Sequence, residues 1–293
     1  MSSFLQRLGD REAWRYWLAG LTGRRGRSAS CPGCGVAGHT IVDRKFFHTF
    51  HECQRCRLLF RHPREDPQAM AAFYQSDYDE PGLTTELPDE RALAHLLATG
   101  FVGSAKDFSY HVEILRALGL ARGARLLDYG ANWGYATYQF RKAGFDARGF
   151  ELSRPRAEFG RRLGVAIATQ PPTAPESFDA VYSCHVLEHV PNPEQTIREQ
   201  LAVVRPGGLV VAHTPNGSAA ARQSNPAEFH RVWGKVHPVL LTGEFIQRRF
   251  GTLVHYVTSD DQPGSLREWA RTDAKIGPLE GGGLFFVLVK PGP

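Results

Sequence analysis

The 293-residue sequence lacks any apolar run long enough to cross a membrane. Its longest apolar stretches, such as residues 284–289, fall far short of the roughly 20 residues that a membrane-spanning helix needs. The first 30 residues contain Asp10, Glu12 and scattered arginines instead of the apolar core of a secretory signal peptide. We therefore expect a cytoplasmic protein without a membrane span.

The sequence also lacks a strong charge of either sign. Its 35 lysines and arginines against 30 acidic residues leave a formal net charge of +5. Part of this excess lies in six early arginines: Arg7, Arg11, Arg15, Arg24, Arg25 and Arg27. Such a cluster can bind nucleic acid or a membrane surface, and it can equally be the solvated face of a helix followed by a linker. The charge alone selects neither alternative.

Cysteine is scarce, with five residues in the chain, and four of them form two C-x-x-C pairs. The pairs are Cys31 with Cys34, and Cys53 with Cys56. A tetrahedral zinc ion needs four thiolate or imidazole ligands, and each C-x-x-C turn supplies two sulfurs. In a cytoplasmic chain this spacing favours a structural zinc ribbon, with redox-active thiols as the alternative. Cys184 lies far from the two pairs in the sequence, and we interpret it as a small apolar residue at the end of a strand.

The sequence contains no internal repeats or low-complexity tracts. Its residue pattern changes along the chain and divides it into four parts. We predict a basic helix and linker over residues 1–29, a zinc ribbon over 30–66, a helical connection over 67–106 and a Rossmann-like domain over 107–293. In the last part, short apolar runs alternate with charged helical stretches, as in βαβ units. The predicted strands are residues 125–129, 147–151, 165–169, 180–184, 209–212, 253–257 and 284–290. The predicted helices are residues 135–143, 154–163, 193–204 and 242–250.

The segment LLDYGANWG, residues 126–134, connects a predicted strand to a predicted helix. Gly130 and Gly134 carry no side chain, so a ligand can approach the backbone closely. Asp128 lies at the carboxyl end of the strand, where open α/β sheets bind ligands and where a carboxylate can pair with an ammonium group. Glu151 follows Gly130 by 21 residues, the spacing at which an acidic residue binds ribose hydroxyls in dinucleotide folds. Loop and acid together predict a ligand that contains adenosine.

The loop is unsuited to a pyrophosphate. It lacks the G-x-G-x-x-G spacing of dinucleotide binders, and the carboxylate of Asp128 would repel phosphates. A cationic cofactor without phosphates fits this loop better.

Four motifs carry a family resemblance. LLDYGANWG resembles the first motif of class I S-adenosylmethionine-dependent methyltransferases, D-x-G-x-G-x-G, with Asn132 at the middle glycine. FELS, FDAVYSCHVLEHV and RPGGLVVAHTPN resemble later motifs, so the resemblance covers residues 125–250. The cysteine ribbon followed by FYQSDY resembles a bacterial subgroup that joins a zinc ribbon to this fold. Because asparagine tolerates left-handed backbone better than most residues, the loop can keep its shape at Asn132.

The resemblance implies an α/β fold, Rossmann-like, with a seven-stranded, mostly parallel sheet, helices on both faces and an antiparallel final strand, preceded by a small zinc ribbon. It implies S-adenosylmethionine and a structural Zn²⁺ as cofactors. Asp128, Gly130 and Gly134 would then hold the methionine part of the cofactor and Glu151 its ribose, with Leu152 and Ser153 beside the adenosine. The expected cofactor-binding residues are Asp128, Tyr129, Gly130, Ala131, Gly134, Glu151, Leu152 and Cys184.

His185, Glu188 and His189 follow the fourth predicted strand, and one helical turn could gather them. A hydroxyl acceptor has to lose its proton as it attacks, and histidine titrates near neutrality. His237 precedes the predicted helix at 242–250. In small-RNA 2′-O-methyltransferases and ubiquinone-pathway O-methyltransferases a similar cluster is known, so these four residues can also be ligands of a divalent ion, and imidazole would favour softer metals. General base or orienting group, metal ligand and structural residue are the three alternatives.

We expect methyl transfer from S-adenosylmethionine to an oxygen of a sugar, polysaccharide or other small molecule. One alternative is an RNA methyltransferase whose ribbon and basic amino-terminal segment bind phosphates, although the ribbon has few aromatic and basic stripes that could stack bases. Another is a non-catalytic binding protein on the same fold. Asp128 and Glu151 argue against the latter, because the scaffold does not need them. The sequence specifies no oligomeric state.

Overall fold

The computed structural model describes residues 29–64, 86–234, 236–259, 261–269 and 275–292. The helix expected within residues 1–28 and the connection at 67–85 lie outside these ranges. The described residues form two β-sheets, one of four strands and one of seven. No helix in these ranges has the length and apolar character required to cross a membrane.

The smaller sheet contains the predicted ribbon. Three antiparallel strands follow one another in it: β1 (His39–Lys45), β2 (His48–Cys53) and β3 (Leu59–His62). A fourth strand, β9 (Val239–Leu240), pairs antiparallel with β3 although it comes from the far end of the chain. The ribbon sheet is therefore completed by a segment of the second predicted domain, which the cysteine pattern did not predict.

The larger sheet has the seven strands that the apolar runs predict. They are β4 (Arg125–Tyr129), β5 (Asp146–Phe150), β6 (Ile167–Ala168), β7 (Phe178–Cys184), β8 (Val204–Pro215), β10 (Val254–Thr258) and β11 (Gly283–Val289). Their spatial order is β10-β11-β8-β7-β4-β5-β6. The strands from β8 to β6 are parallel, whereas β11 is antiparallel to both of its neighbours. The mostly parallel sheet with an antiparallel final strand is thus confirmed.

The helices match their predicted positions closely where the pattern was periodic. They are α1 (Glu90–Ala98), α2 (Ser109–Ala117), α3 (Tyr135–Lys142), α4 (Arg154–Arg162), α5 (Pro193–Val203), α6 (Ala219–Ser224), α7 (Pro226–Val232), α8 (Gly243–Phe250) and α9 (Pro263–Trp269). Each of the four predicted helices, now α3, α4, α5 and α8, agrees with its prediction to within one residue at either end. Four helices of the second predicted domain were not predicted: α2, α9, and the short helices α6 and α7, which lie between β8 and β9.

Two apolar clusters cover the two faces of the larger sheet. Leu126 and Phe285 belong to one cluster, and the next residue of each strand, Leu127 and Phe286, belongs to the other, because successive strand side chains point to opposite faces. Residues of α2, α3 and α9 pack in the first cluster and residues of α5 and α8 in the second. Each fully buried aliphatic or aromatic side chain contributes about 1.5–3 kcal/mol to stability. The helices are therefore on both faces, as expected.

Capping residues determine where two of these helices begin. The Thr242 side chain accepts a hydrogen bond from Phe245 N at 2.8 Å at the start of α8. Asn192 accepts one from Gln195 N at 3.1 Å at the start of α5, where Pro193 occupies the first turn. Both caps satisfy backbone N–H groups that have no partner within the helix.

Candidate functional site

The two predicted carboxylates come from neighbouring parallel strands. Strand β4 pairs with β5 so that Asp128 lies opposite Gly149 and Tyr129 opposite Phe150, and Glu151 follows directly. Both carboxylates are therefore at the carboxyl edge of the sheet, where this class of sheet binds ligands.

The loop after β4 is attached to β5 by its backbone. Gly130 N and Ala131 N both donate hydrogen bonds to Phe150 O at 2.8 Å. These two bonds hold the loop against the residue that precedes Glu151.

Asp128 is almost completely buried, with 3% of its surface exposed. Its Oδ2 accepts a hydrogen bond of 2.6 Å from the Thr137 hydroxyl on α3. Burial raises the pKa of this carboxyl to about 7, although the Thr137 hydrogen bond lowers it, and the negative charge of Glu151 makes a smaller contribution in the same direction as burial. A cation placed beside Asp128 would reverse this effect, since an opposite charge favours the ionised carboxylate.

Glu151 is held from both sides by backbone N–H groups. Its Oε2 accepts from Asn132 N at 2.9 Å and its Oε1 accepts from Ser153 N at 2.7 Å. Burial nevertheless raises its pKa. Each carboxylate oxygen can accept more than one hydrogen bond, so ribose hydroxyls can still bind here. The next residue, Leu152, has 42% of its surface exposed, and an apolar side chain there suits one face of an adenosine.

Asn132 adopts the left-handed backbone that its position in the loop requires. Its φ is +52°, and its side-chain Oδ1 accepts a hydrogen bond of 2.8 Å from Trp133 N. Gly130 and Gly134 both have a φ of +86°, which disfavours any residue with a Cβ. The asparagine therefore takes the place of a glycine without changing the left-handed geometry.

Another side chain of the protein occupies the space beside Gly130. A Cβ on this residue would lie 2.3 Å from Val186 Cγ2, in the turn that follows β7. Gly134 has a similar role, because its Cβ would lie 2.9 Å from Ile167 Cδ1 on β6. Both glycines allow close packing of the loop, a role that the sequence pattern did not distinguish from ligand approach.

Three other expected cofactor-binding residues are mostly covered. Tyr129 and Ala131 are 8% and 2% exposed, and the Tyr129 ring packs edge-on against Phe150 with 4.8 Å between centroids. Cys184 ends β7 and is half-buried, and burial raises the pKa of its thiol. Contacts from Tyr129 and Ala131 to a cofactor would therefore involve backbone atoms.

A buried glutamate lies at the centre of the predicted histidine turn. Glu188 is 0% exposed; its Oε1 pairs with His185 Nδ1 at 3.0 Å, and its Oε2 accepts a bond of 3.0 Å from the Thr214 hydroxyl. Burial alone would raise the pKa of Glu188, but the His185 bond and the charge of His189 outweigh it, so this pKa is lowered. The same hydrogen bond raises the pKa of His185.

The rings of His189 and His237 contact each other beside this glutamate. Their ring centroids are 4.7 Å apart. His189 Nδ1 bonds to Val236 O at 2.8 Å and His237 Nδ1 to Val232 O at 2.7 Å. Because a carbonyl oxygen only accepts, both Nδ1 atoms carry a proton, and in a neutral ring Nε2 is then the nitrogen that can accept another. Burial lowers the pKa of His189 to about 4, so this ring is neutral at pH 7.

Three of the four expected residues form one group of electron-pair donors. One ligand atom each from Glu188, His189 and His237 lie within 4.8 Å of one another. Such a group can accept a proton, orient a hydroxyl or hold a metal ion. His185 is outside this group: its side chain is 64% exposed, its φ is +54°, and it contacts Glu188 from the solvent side. The helical turn that would gather His185 with the others does not form, because His185 leaves the strand in a left-handed conformation.

A second polar cluster, which no sequence motif indicated, lies on the other face of β7 and β8. His213 Nδ1 lies 3.2 Å from Asp261 Oδ2, and the Tyr110 hydroxyl donates to Asp261 Oδ1 at 2.9 Å. His111 Nδ1 contacts the Tyr182 hydroxyl at 2.5 Å, and its ring centroid is 5.1 Å from that of His213. These residues come from separate helices, strands and loops, so no local spacing in the sequence indicates the cluster.

The four ribbon cysteines converge as expected. Their Sγ atoms lie within 4.8 Å of one another, with 3.4 Å between Cys31 and Cys56 and 3.5 Å between Cys34 and Cys53. A tetrahedral zinc with Zn–S bonds of about 2.3 Å has sulfurs about 3.8 Å apart. None of the four cysteines forms a disulfide, and the bond with Cys56 lowers the pKa of Cys31 to about 5. Geometry and donor chemistry therefore fit a zinc ion.

The sheet order, the antiparallel β11 and the loop between β4 and α3 define a class I, Rossmann-like methyltransferase fold with a four-cysteine cluster ahead of it. A family model described as a methyltransferase domain matches residues 109–259, slightly more than half of the chain. The chain belongs to this methyltransferase family.

Named relatives are methyltransferases as well. A ubiquinone biosynthesis O-methyltransferase from Methylococcus capsulatus is 27% identical over 172 residues, covering 55% of this chain and 66% of that protein. A demethylmenaquinone methyltransferase from Renibacterium salmoninarum is 35% identical over 106 residues, covering 34% of this chain and 45% of that protein. The chain thus spans less than two thirds of the length of these curated relatives.

A solved structure supports the fold. The geranyl diphosphate C-methyltransferase from Streptomyces coelicolor A3(2), in complex with Mg²⁺, geranyl diphosphate and S-adenosyl-L-homocysteine, gives a TM-score of 0.50 at 14% identity. The match covers 76% of this chain and 96% of that one. Similarity at this identity bears on the fold alone.

Proposed function

We propose that this protein transfers the methyl group of S-adenosylmethionine to a hydroxyl oxygen of a small molecule. One observation carries the proposal: two carboxylates, Asp128 and Glu151, lie at adjacent strand ends and have raised pKa values. A buried carboxyl with a raised pKa is stabilised by a cationic ligand, and S-adenosylmethionine is a cationic nucleoside without phosphates. We assign the methionine ammonium to Asp128, the ribose hydroxyls to Glu151 and one face of the adenine to Leu152.

The turn after β7 would then handle the acceptor. When bound, S-adenosylmethionine supplies the methyl group: the acceptor oxygen forms the new bond to carbon, and the electrons of the broken C–S bond remain on sulfur. His189 and His237 each donate from Nδ1 to a backbone carbonyl, so Nε2 of either ring is the atom that would take the proton that the hydroxyl loses. Glu188, whose Oε1 lies 3.9 Å from His189 Nε2, would balance the resulting positive charge. His185, on the solvent side of Glu188, supports its ionised form.

Two kinds of acceptor follow from different observations. The relatives named for ubiquinone and menaquinone biosynthesis favour a phenolic or quinone-related ring. The ribbon ahead of the fold resembles a bacterial subgroup that is often linked to sugar, polysaccharide or secondary-metabolite modification, and this favours a sugar or polysaccharide hydroxyl. Both acceptors present a hydroxyl that a neutral imidazole can deprotonate, so the histidine pair suits either.

We also propose that the four ribbon cysteines hold a structural Zn²⁺, and that residues 30–66 and 107–293 are the two domains. The second cysteine pair packs against α8: the Arg248 guanidinium donates to Arg55 O at 2.9 Å, and the Thr242 hydroxyl donates to Arg57 O at 3.1 Å. Since this side of the ribbon is covered by the protein's own helix, its contacts favour a small-molecule enzyme over an RNA-binding one.

Titration calorimetry with S-adenosylhomocysteine tests the cofactor assignment. We expect the wild type to bind and Glu151→Ala to lose at least about a hundredfold in affinity, because two charge-assisted hydrogen bonds to ribose disappear at roughly 1.5 kcal/mol or more each. The matched control is Glu158→Ala, which removes an exposed glutamate of the adjacent helix α4. Absence of binding by the wild type would overturn the proposal.

A transfer assay tests the acceptor class. Purified protein is incubated with methyl-labelled S-adenosylmethionine and two sets of acceptors, substituted catechols and free or nucleotide-linked sugars. Label should appear as a methyl ether in one set, and each product should be resistant to mild base. Transfer to transcribed RNA but to neither set would contradict the small-molecule assignment.

A further inference from the structure

The ribbon sheet is joined to the segment that carries His237. Strand β3 pairs with β9 through Leu59 opposite Leu240 and Phe60 opposite Val239. Strand β9 begins two residues after His237. A histidine of the candidate acceptor site is thus attached to the edge of the ribbon sheet.

Arg61 of β3 contacts the chain on both sides of His237. Its backbone N donates to Pro238 O at 2.8 Å, and its guanidinium Nη1 donates to Gly234 O at 3.0 Å. The turn between these two carbonyls is closed by Gly234 N donating to His237 O at 3.1 Å. The Arg61 side chain is 0% exposed, so these bonds are shielded from water.

The position of the His237 ring depends on the same turn. Its Nδ1 donates to Val232 O, at the end of α7. Trp233 follows directly, and its ring stacks on Phe50 of β2 at 4.7 Å between centroids with an angle of 9°. The carbonyl that orients the His237 ring is therefore next to a residue that packs on the ribbon.

The segment is attached to the larger sheet at its other end. Leu241 forms a parallel bridge with Asn216, which follows β8, and Gly217 N donates to Leu241 O at 2.8 Å. Trp233 thus contacts the ribbon sheet, and Leu241 contacts the larger sheet. The described residues on either side of His237 are therefore bonded to both sheets.

We propose that the ribbon positions His237 for the transfer reaction, with Arg61 as the positioning residue. The inference rests on the proposed function, which makes His237 a part of the acceptor site. A ribbon of this size needs a metal ion or disulfides to remain folded, so the four cysteines support the histidine indirectly through β3. The ribbon is then a structural part of the acceptor site and not only an appended domain.

The tautomer of His237 provides a readout that does not depend on activity. A neutral imidazole free in water prefers the proton on Nε2, whereas the bond to Val232 O requires it on Nδ1. Long-range ¹H–¹⁵N spectra of protein with ¹⁵N-labelled histidine distinguish the two forms. The His237 signals are assigned by their loss in His237→Gln.

Arg61→Met is the principal variant, because it keeps the buried volume and removes the bond to Gly234 O. We expect His237 to leave the Nδ1-protonated form and kcat to fall at least about tenfold from lost orientation, while S-adenosylhomocysteine affinity stays unchanged. Arg61→Lys, which can still donate to Gly234 O, should restore much of both. The matched control is Arg248→Met, which removes another arginine bond between ribbon and domain, the one to Arg55 O, and should leave the His237 signals in place.

Removal of the proposed zinc by a chelator gives a second route should Arg61→Met fail to fold. The chelated wild type should lose the His237 signature and keep cofactor binding. Retention of the Nδ1 tautomer and of kcat in Arg61→Met, or of the tautomer after chelation, would overturn the proposal. A wild type that shows the tautomer but binds no S-adenosylhomocysteine would instead overturn the proposed function.

Discussion

Asp128 and Glu188 are both buried carboxyls, 3% and 0% exposed, yet their pKa values are shifted in opposite directions. Burial raises the pKa of Asp128 to about 7; its hydrogen-bond partner is the Thr137 hydroxyl, and the charge that acts on it is that of Glu151. Burial acts on Glu188 in the same way, but the hydrogen bond from His185 and the charges of nearby histidines lower its pKa overall. Equal burial therefore does not produce equal ionisation.

The opposite pKa shifts of these two carboxyls distinguish the two halves of the proposed active site. In the cofactor half, at Asp128 and Glu151, negative charge is costly until a cation arrives. In the acceptor half, at Glu188, His189 and His237, the charge is already balanced and the imidazoles are ready to accept a proton. The cofactor half therefore suits a ligand with a permanent positive charge, and the acceptor half suits the transfer of a proton.

The largest effect is expected from loss of the proposed zinc site, because the ribbon supports the acceptor half of the active site and not the cofactor half. Cys53→Ser removes one of four zinc ligands, and apparent zinc-binding free energies in small domains are about 10–16 kcal/mol. We expect about one zinc per chain in the wild type, loss of that zinc in the variant and unfolding of the ribbon. Metal analysis and near-ultraviolet circular dichroism measure these changes.

Cys184→Ser is the control, because this cysteine lies at the end of β7 and not among the ribbon sulfurs. It should keep its zinc. If the two halves are separable, Cys53→Ser should still bind S-adenosylhomocysteine while methyl transfer is lost. A Cys53→Ser protein with full zinc content and a folded ribbon would contradict the prediction.

The cofactor half could be predicted from sequence because its residues are local. Asp128, Asn132 and Gly134 lie in one strand–loop–helix unit, and Glu151 ends the next strand. Parallel pairing of consecutive strands then brings the two acids together without any further information. The cysteine pairs are predictable for the same reason, since each C-x-x-C turn carries its own geometry.

The acceptor half could be predicted only in part. His185, Glu188 and His189 are close in sequence, but whether each side chain points inward depends on the backbone, and a φ of +54° turns His185 to solvent. The position of His237 in the site depends on β9. This two-residue strand pairs through a tertiary contact and is not indicated by an apolar pattern. Non-local assembly of this kind leaves no periodic signal.

The next effect in size concerns the acceptor half alone. Replacement of His189 by glutamine keeps the side chain's size and removes a neutral base. We expect kcat to fall by about a hundredfold to ten-thousandfold, the usual range for loss of general base catalysis. The affinity for S-adenosylhomocysteine should not change, since His189 lies in the other half of the site.

Initial rates at saturating S-adenosylmethionine, with the acceptor selected in the transfer assay, measure this effect. His255→Gln is a matched control, because His255 is an exposed histidine on β10. A His189→Gln variant with wild-type kcat would mean that another group, such as His237, takes the proton.

The smallest effect is a difference in pH dependence between the halves. Asp128 has a pKa of about 7 in the free protein, so below that pH it is neutral and has to release a proton before it pairs with a cation. Affinity for S-adenosylhomocysteine should therefore fall as the pH is lowered below 7, by at most about tenfold per pH unit. His189, with a pKa of about 4, stays unprotonated over this range, so its contribution to kcat should be level.

Calorimetry at several pH values measures the affinity, and repetition in buffers of different ionisation enthalpy measures the proton released. Asp128→Asn is the decisive comparison: it should bind more weakly than the wild type at pH 8 and lose both the pH dependence and the proton release below pH 7. The opposite slope, with tighter binding at low pH, would mean that Asp128 binds its ligand as a neutral hydrogen-bond donor. A fall in kcat with the same midpoint as the fall in affinity would show that one ionisation governs both halves, and the contrast between Asp128 and Glu188 would then have no functional consequence.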